Sequence, residues 1–199
     1  MEPREIGRAY DQITGRWTGD GFDMRNGISA HKRAVEFVEG RGSALDVGCG
    51  CTGRFIDLLL KEGFAPEGVD VSSEMIALAR QKHPQVPFYN QDICESAPAG
   101  SYDFITAWDS IWHVPLDLQV SVITRLVSCL NTGGVFIFSF GGTEEAGEHR
   151  NKVMGPEVYY SSLGTNGFLR LILDLGCICR HLEYDQYPEL HTYLIVQKM

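Results

Sequence analysis

Hydrophobic residues along this chain recur with the spacings of strands and helices in alternation. Short apolar runs that predict buried strands cover residues 44–47, 65–70, 86–90, 102–108 and 135–140. Apolar residues at helical spacing predict helices over 54–61, 74–80 and 116–130. Ser72 or Ser73 is expected to cap the second of these helices. Because strands that alternate with helices form parallel sheets with right-handed crossovers, the pattern predicts an α/β fold.

The C-terminal part of the chain shows a different order of elements. Residues 168–175 have helical spacing and stop at Gly176, and two strands are predicted over 178–184 and 191–197. The short connection between these strands contains Pro188, and it fits a hairpin better than a crossover helix. We therefore expect the sheet to close with an antiparallel last strand.

Composition narrows the class of protein. A chain of 199 residues with 44% hydrophobic and 22% charged residues predicts one domain over residues 1–199. The formal net charge of −9 argues against a nucleic-acid partner, since such binding depends on Lys and Arg neutralising phosphates. No apolar stretch reaches the roughly 18 residues that cross a bilayer, and the N-terminus is too polar for a signal peptide. We expect a cytoplasmic location and no membrane partner, and either a monomer or a homodimer.

Six cysteines, at positions 49, 51, 94, 129, 177 and 179, raise the question of a metal site. Cys49 and Cys51 are separated by one residue, as are Cys177 and Cys179, which is shorter than the usual spacing of zinc ligands. No cluster of carboxylates suited to Mg²⁺ is evident either. We expect no metal, and we expect the cysteines to behave as small apolar side chains.

The segment between the first strand and the first helix of this pattern carries the clearest chemical signal. Gly48, Gly50 and Gly53 form a G-x-G-x-x-G turn, in which backbone N–H groups at a helix start can face a ligand. Asp46 lies two residues before the first glycine, and Asp70 ends the next strand. In nicotinamide-binding Rossmann domains, an acid about 20 residues beyond such a turn holds the ribose hydroxyls, so Asp70 also fits that fold.

The motif Asp46-Val47-Gly48-Cys49-Gly50 resembles the class I S-adenosylmethionine-dependent methyltransferases, in particular their small methyltransferase-domain family. The resemblance implies a Rossmann-like three-layer αβα sandwich. Its mostly parallel seven-stranded sheet would have the order 3-2-1-4-5-7-6, with an antiparallel last strand. It also implies S-adenosyl-L-methionine as cofactor and S-adenosyl-L-homocysteine as product. The predicted C-terminal hairpin favours this family over the nicotinamide-binding fold.

The resemblance also implies where the cofactor is bound. Its methionine part would lie over Gly48, Cys49, Gly50 and Gly53, with Asp46 supporting the turn and Trp108 at the end of the fourth strand. Asp70 would accept hydrogen bonds from the ribose hydroxyls. Asp92 and the backbone of Ile93 would hold the adenine amino group, and Val71 and Met75 would form apolar walls. Met75 and Trp108 fit ordinary core positions equally well.

Transfer from a sulfonium by direct in-line displacement needs alignment above all, and a base only if the acceptor arrives protonated. His113 and Asp109, after the fourth strand, are the candidates for catalysis. The segment Asp109-Ser110-Ile111-Trp112 lacks the Asn/Asp-Pro-Pro-aromatic motif of enzymes that methylate base amino groups, and this favours a small-molecule substrate.

Two segments are expected to cover the substrate: an N-terminal helical or lid segment, 1–40, and an insert, 141–164. The candidate substrate residues in them are aromatic: Tyr10, Trp17, Tyr159 and Tyr160. The sequence leaves two alternatives open: the protein is a nicotinamide-dependent oxidoreductase, or it is a non-catalytic cofactor-binding module that regulates a partner.

Overall fold

The computed structural model describes residues 1–96 and 99–199, and a seven-stranded sheet forms its centre. The strands, in chain order, are β1 Ser43–Val47, β2 Ala65–Asp70, β3 Phe88–Asn90, β4 Tyr102–Ala107, β5 Leu130–Gly141, β6 Gly147–Asn151, β7 Val158–Ser162, β8 Cys177–Glu183 and β9 His191–Lys198. The helices are α1 Pro3–Asp11, α2 Gly15–Thr18, α3 Ile28–Val35, α4 Arg54–Lys61, α5 Ser73–Lys82, α6 Leu116–Ser128 and α7 Thr165–Asp174. A short 3-10 turn covers Ile111–His113.

The order of strands in the main sheet is β3-β2-β1-β4-β5-β9-β8, and β6 and β7 form a separate two-stranded sheet. The first five strands of the main sheet run parallel, whereas β9 is antiparallel to both β5 and β8. Counted along the chain without β6 and β7, this order is 3-2-1-4-5-7-6. The predicted Rossmann-like sheet with an antiparallel last strand is therefore confirmed.

Helices cover both faces of the sheet, and strand β5 shows why. Phe136, Phe138 and Phe140 belong to the apolar cluster that includes α6 and α7, whereas Val135 and Ile137 belong to the cluster that includes α3 and α4. Successive strand residues point to opposite faces, so a strand that is apolar throughout must be covered on both sides. The unbroken apolar run of β5 thus specifies the middle layer of the sandwich.

One element boundary differs from the prediction. The segment 131–134 has the residues of a helix stop, yet α6 already ends at Ser128 and β5 begins at Leu130. Leu130 pairs with Tyr102, and the register shifts before Phe104 pairs with Val135. Gly133, at a φ of +78°, accommodates this irregularity. Pairing with β4 therefore extends the strand through residues that locally favour a turn.

The two segments expected to cover the site have regular structure. The N-terminal segment contains α1, α2 and α3, and the insert forms the β6–β7 hairpin, which was not predicted. Ile6 and Ala9 of α1 pack against Val158 and Tyr159 of β7. The helix and the hairpin therefore support each other above the carboxyl edge of the sheet.

Among the described residues, none of the helices is long and apolar enough to cross a membrane. The cytoplasmic location stays a prediction.

Candidate active site

A cavity of about 360 Å³ lies at the carboxyl edge of the parallel strands. Its lower wall consists of the β1–α4 turn and the ends of β2, β3 and β4, and α1, the hairpin and the β8–β9 connection close it from above. Ligands of open α/β sheets bind in this place, beyond the carboxyl ends of the strands. Most of the predicted site residues line it: Tyr10, Trp17, Gly48, Cys49, Gly50, Asp70, Val71, Met75, Asp92, Ile93, Trp108, Asp109, His113 and Tyr160. Asp46, Gly53 and Tyr159 are not part of its wall.

The three turn glycines all have positive φ, but each has a different neighbour. A Cβ on Gly48 would lie 2.4 Å from the Cβ of Ser110, and a Cβ on Gly53 would lie 2.4 Å from Cε1 of His83. A Cβ on Gly50 would meet nothing within 4 Å, because this residue faces the open cavity. Gly48 and Gly53 are thus required for packing inside the protein, and only Gly50 leaves space that a ligand can occupy.

Asp70 joins the glycine turn to the start of α5. Its Oδ2 accepts a hydrogen bond from the Gly50 N–H at 2.9 Å, and its Oδ1 accepts one from the Ser72 N–H at 2.8 Å. Burial raises the pKa of Asp70, and these backbone hydrogen bonds oppose the increase. Ser72 caps α5 by accepting from the Met75 N–H at 3.1 Å. Asp70 is therefore free of the capping role, and its carboxylate is held at the cavity wall.

Asp46 lies below the turn and is 2% exposed. Burial raises its pKa to about 7, an effect that Arg54 opposes and Asp70 reinforces. This carboxyl group is buried inside the protein and is not part of the cavity wall.

Asp92 follows β3 and forms a local turn in which its Oδ1 accepts from the Cys94 N–H at 2.8 Å. It is 8% exposed and lines the cavity beside Ile93, Val71 and Met75. This corner combines one carboxylate with an apolar surface, which suits a flat, polar-edged ring.

Trp108 has two roles in the structure. Its ring packs against Phe55 and Tyr193 at centroid distances of 6.3 Å and 5.4 Å, and it is 3% exposed. It nevertheless contributes to the cavity wall. The sequence left two alternatives for Trp108, a core position and a position in the cofactor site. In the structure this side chain belongs both to the core and to the cavity wall.

His113 lies at the centre of a hydrogen-bond network. Its Nδ1 is 2.8 Å from the carbonyl oxygen of Tyr159, which can only accept, so Nδ1 carries the hydrogen. Its Nε2 accepts from Trp112 Nε1 at 3.0 Å and lies 2.6 Å from the Tyr10 hydroxyl. Burial lowers the pKa of His113 to about 4 and raises that of Tyr10. His113 is therefore a neutral imidazole whose basic nitrogen faces Tyr10.

Two charged residues of the wall were missed by sequence reasoning. Arg54 begins α4; its Nε donates to the Asn26 carbonyl at 3.1 Å and its Nη1 to Thr52 Oγ1 at 3.0 Å. His191 begins β9, and its Nε2 lies 3.0 Å from Asp109 Oδ1. The position of Arg54 directly after Gly53 was a usable signal. The position of His191 was not, because only the antiparallel pairing of β9 brings its first residue to this edge.

Of the four aromatic residues expected at the substrate, Tyr10, Trp17 and Tyr160 line the cavity. Tyr159 points elsewhere: its hydroxyl donates to Glu148 at 2.6 Å and accepts from the Leu116 N–H at 3.0 Å. Neighbouring residues of a strand face opposite sides, so β7 can present only one of the two tyrosines. The cavity wall therefore includes Tyr160 and not Tyr159.

Within residues 1–96 and 99–199, no group of three or more His, Cys, Asp or Glu side chains could hold a metal ion. The absence of a metal remains a prediction.

A family model described as a methyltransferase domain matches residues 25–160, which include β1 to β6, the first part of β7 and most of the cavity wall. The chain belongs to this methyltransferase family. The resemblance to the class I S-adenosylmethionine-dependent methyltransferases is thereby confirmed.

The match spans about half the length of the first two curated relatives and most of the length of the third. The methyltransferase chain is 32% identical over 111 residues to a protein of Geobacillus sp. (strain WCH70) named as a methyltransferase, covering 53% of this chain and 44% of the relative. It is 25% identical over 151 residues to a ubiquinone biosynthesis O-methyltransferase of Sodalis glossinidius, covering 70% and 59%. The protein of the same name from Nitrosococcus oceani is 25% identical over 216 residues, covering 100% and 89%.

Solved structures share the fold of this methyltransferase. The magnesium protoporphyrin IX methyltransferase of Synechocystis PCC 6803, crystallised with S-adenosylhomocysteine, aligns with a TM-score of 0.76. The two chains are 20% identical, and the alignment covers 100% of both. A sugar N-methyltransferase from Streptoalloteichus sp. aligns with a TM-score of 0.72 at 17% identity, covering 92% of this chain and 91% of that chain.

The residues present in the methyltransferase cavity fit S-adenosylmethionine. Gly50 leaves open space at the turn, Asp70 presents a fixed carboxylate, and the corner at Asp92 has an apolar wall. Arg54 adds a cation at the start of α4, where an amino-acid carboxylate would be stabilised.

Proposed function

We propose that this chain is an S-adenosylmethionine-dependent methyltransferase that acts on a small-molecule acceptor. The observation that carries the proposal is that one cavity contains both halves of such a site. Its first half holds Gly50, Asp70 and Asp92, and its second half holds Tyr10, Trp112 and His113.

In the first half, the proposed roles follow from charge and geometry. Asp70 would accept from ribose hydroxyls, Asp92 and Ile93 would hold the adenine edge, and Val71 and Met75 would contact its faces. Arg54 would bind the methionine carboxylate. When bound, S-adenosylmethionine supplies a methyl group already activated by its sulfonium centre, so the protein contributes alignment rather than a covalent nucleophile.

In the second half, His113 is the proposed proton acceptor. Its Nε2 lies 2.6 Å from the Tyr10 hydroxyl, so a proton leaving the acceptor can pass to the Tyr10 oxygen while the Tyr10 proton moves to Nε2. The Nδ1–H bond to the Tyr159 carbonyl keeps the imidazole in the required tautomer. Asp109 remains a second candidate, for binding the acceptor.

Helix α1 excludes water from the proposed site. Asp11 at its end accepts from Ser72 Oγ at 2.6 Å and from the Glu74 N–H at 3.1 Å. A Cβ on Gly7 would lie 2.8 Å from the Val71 carbonyl oxygen, so the helix packs directly on the backbone after β2. Tyr10 therefore reaches His113 only while α1 is docked.

The relatives support a small organic acceptor without specifying it. Their names refer to ubiquinone biosynthesis, and the structural neighbours are a magnesium protoporphyrin IX methyltransferase and a sugar N-methyltransferase. The cavity size and its aromatic wall fit molecules of this scale. The cytoplasmic location, the absence of a nucleic-acid or membrane partner and the monomeric or dimeric state belong to the same proposal.

Ligand binding separates the proposed function from its rivals. We expect S-adenosylhomocysteine to raise the melting temperature of the protein and NAD(H) to leave it unchanged. The reverse result would identify a nicotinamide-dependent oxidoreductase. A screen of small acceptors with labelled S-adenosylmethionine then distinguishes an enzyme from a cofactor-binding regulator, since only an enzyme transfers label.

A further inference from the structure

His191 is surrounded by two carboxylates at the acceptor end of the cavity. Its Nε2 lies 3.0 Å from Asp109 Oδ1, and its Nδ1 contacts Asp185 Oδ1 in the β8–β9 connection. Ionised carboxylates only accept hydrogen bonds, so both ring nitrogens must donate. The imidazole is therefore a cation in this arrangement. Burial opposes this charge, but the hydrogen bonds and charges of both carboxylates raise the pKa of His191 above its usual value.

Two indole rings enclose this imidazole. The centroid of the His191 ring lies 5.2 Å from that of Trp108 and 5.5 Å from that of Trp112, and the side chain is 8% exposed. This packing leaves little of the imidazole in contact with water. The position of the ring is thus fixed from four directions.

Asp109 is fixed equally well. Its backbone has a φ of +55°, the only positive value for a non-glycine residue in the described part of the chain. Its N–H donates to Ser139 Oγ at 2.7 Å. Oδ1 is used by His191, whereas Oδ2 has Arg54 Nη2 at 3.9 Å, beyond hydrogen-bond distance. Strained backbone of this kind persists where the surroundings hold it, and it is common at functional sites.

We propose that His191 is a positioning residue that holds Asp109 with Oδ2 open to the cavity, where this oxygen accepts a hydrogen bond from a hydroxyl or an amine of the acceptor, while the proton of the methylated group passes to Tyr10. This inference rests on the proposed function. It also restricts the acceptor to a molecule that presents a hydroxyl or an N–H group to Asp109 at its reacting end. A carboxylate acceptor has no proton to donate to Oδ2 and is repelled by the charge of Asp109.

The titration of His191 should affect acceptor binding. The charged and polar groups around the His191–Asp109 pair include Asp109 itself after β4, Asp185 in the β8–β9 connection, Arg54 of α4 and the neutral Ser139 of β5. Tyr10 of α1 and the neutral His113 also interact electrostatically with Asp109. Below its raised pKa, His191 is charged and orients Asp109. As the pH rises through that pKa, the second hydrogen-bond donor and the charge are lost, so the KM for the acceptor increases.

The first test uses acceptor probes and variants of His191. Catechol, benzylamine and benzoate combine a benzene ring with two hydroxyls, one amine and one carboxylate respectively, and each is assayed with labelled S-adenosylmethionine. We expect methylation of catechol or benzylamine, and methylation of benzoate alone would overturn the acceptor class. With the methylated probe, His191→Phe should raise the acceptor KM by about tenfold or more, as expected for a lost charged hydrogen bond.

A conservative variant and a control variant distinguish a positioning role of His191 from a purely structural one. His191→Gln keeps one donor to Asp109 without the charge, so we expect an intermediate KM that no longer increases at alkaline pH. His181→Gln is the matched control, because His181 also pairs with a carboxylate, Glu183 at 2.8 Å, on the neighbouring strand β8. It should leave the acceptor KM unchanged. Equal effects of the His181 and His191 variants would overturn the proposal.

A second measurement needs no acceptor. In protein labelled at histidine carbons and saturated with S-adenosylhomocysteine, nuclear magnetic resonance should show His191 titrating above the ordinary histidine range, and Asp109→Asn should lower its pKa. A His191 that titrates normally and ignores this substitution would overturn the positioning role. Failure of S-adenosylhomocysteine to bind the unmodified protein would instead refute the proposed function, and the Asp109–His191 pair can then be titrated without it.

Discussion

The Tyr10 hydroxyl lies 2.6 Å from Nε2 of His113 and joins the N-terminal helix to the segment after β4. The two residues are 103 positions apart in the sequence. Because Tyr10 belongs to a helix docked above the cavity, this contact links closure of the site to the environment of its proposed base.

Removing the Tyr10 hydroxyl should slow methyl transfer. We expect Tyr10→Phe to lower kcat about tenfold, the loss typical of one strong hydrogen bond, while S-adenosylhomocysteine affinity changes little. Steady-state kinetics and calorimetry measure the two effects. Tyr159→Phe is the control: it removes a buried hydroxyl that contacts Glu148 and lies outside the cavity. A similar loss of kcat in both variants would contradict a specific role for Tyr10.

The pH dependence of turnover should reflect the low pKa of His113. A base acts in its neutral form, and burial lowers the pKa of His113 to about 4, so this form persists through the weakly acidic range. We expect kcat to fall on the acid side only near pH 4 and His113→Ala to lower kcat by about 100-fold. Full turnover of His113→Ala across the pH range would end the base assignment.

Asp70 should contribute to cofactor affinity. We expect Asp70→Ala to weaken S-adenosylhomocysteine binding by about 1–3 kcal/mol, because charge-assisted hydrogen bonds to the ribose are lost. Asp103→Ala serves as the control, since Asp103 Oδ2 also accepts a backbone N–H, that of Gly42 at 2.9 Å, but at the opposite end of the sheet. Calorimetry should show normal affinity for the control. An unchanged affinity of the Asp70 variant would remove its assigned role.

The turn glycines should respond differently to a methyl group. Gly63→Ala, at an open position with a φ of +86°, measures the cost of left-handed backbone alone, about 1–2 kcal/mol. We expect Gly50→Ala to lose similar stability and, in addition, to bind S-adenosylhomocysteine more weakly, since its Cβ enters the cavity. Gly48→Ala should lose more stability than either, because the added Cβ would lie 2.4 Å from the Cβ of Ser110. Denaturant unfolding and calorimetry together test this order, and normal binding by Gly50→Ala would contradict it.

Asp46 should make stability depend on pH near neutrality. Burial raises its pKa from the ordinary 3.8 to about 7 in the folded protein, so the folded state binds a proton that the unfolded state releases. The associated stability is fully present below pH 3.8 and is lost as the pH rises through about 7. One pKa unit corresponds to about 1.4 kcal/mol, so the effect should exceed 1 kcal/mol.

Asp46→Asn should remove this dependence. Between pH 4 and pH 7, about the window between these two pKa values, we expect the free energy of unfolding to decrease more in the unmodified protein than in the variant. Parallel curves for the two proteins would show that Asp46 is not held in its neutral form.

Much of the molecule followed from local pattern and composition. The strand-helix alternation, the antiparallel end of the sheet and the glycine turn were predictable, because periodic burial and backbone conformation depend on neighbouring residues. The acids Asp70 and Asp92 were predictable as well, since residues that end parallel strands share one edge. The extension of β5 to Leu130 was not, because pairing with β4 overrides local preference for a turn.

The sequence by itself determined the fold and the half of the cavity suited to a nucleoside. Tertiary structure alone decided the acceptor half: it paired Tyr10 with His113, directed Tyr160 rather than Tyr159 to the cavity, and placed His191 beside Asp109. The physical reason is the distance along the sequence over which each kind of interaction acts. Hydrophobic period and turn chemistry act over a few residues, whereas these contacts join segments separated by tens of residues, whose meeting depends on how helices and hairpins dock on the finished sheet.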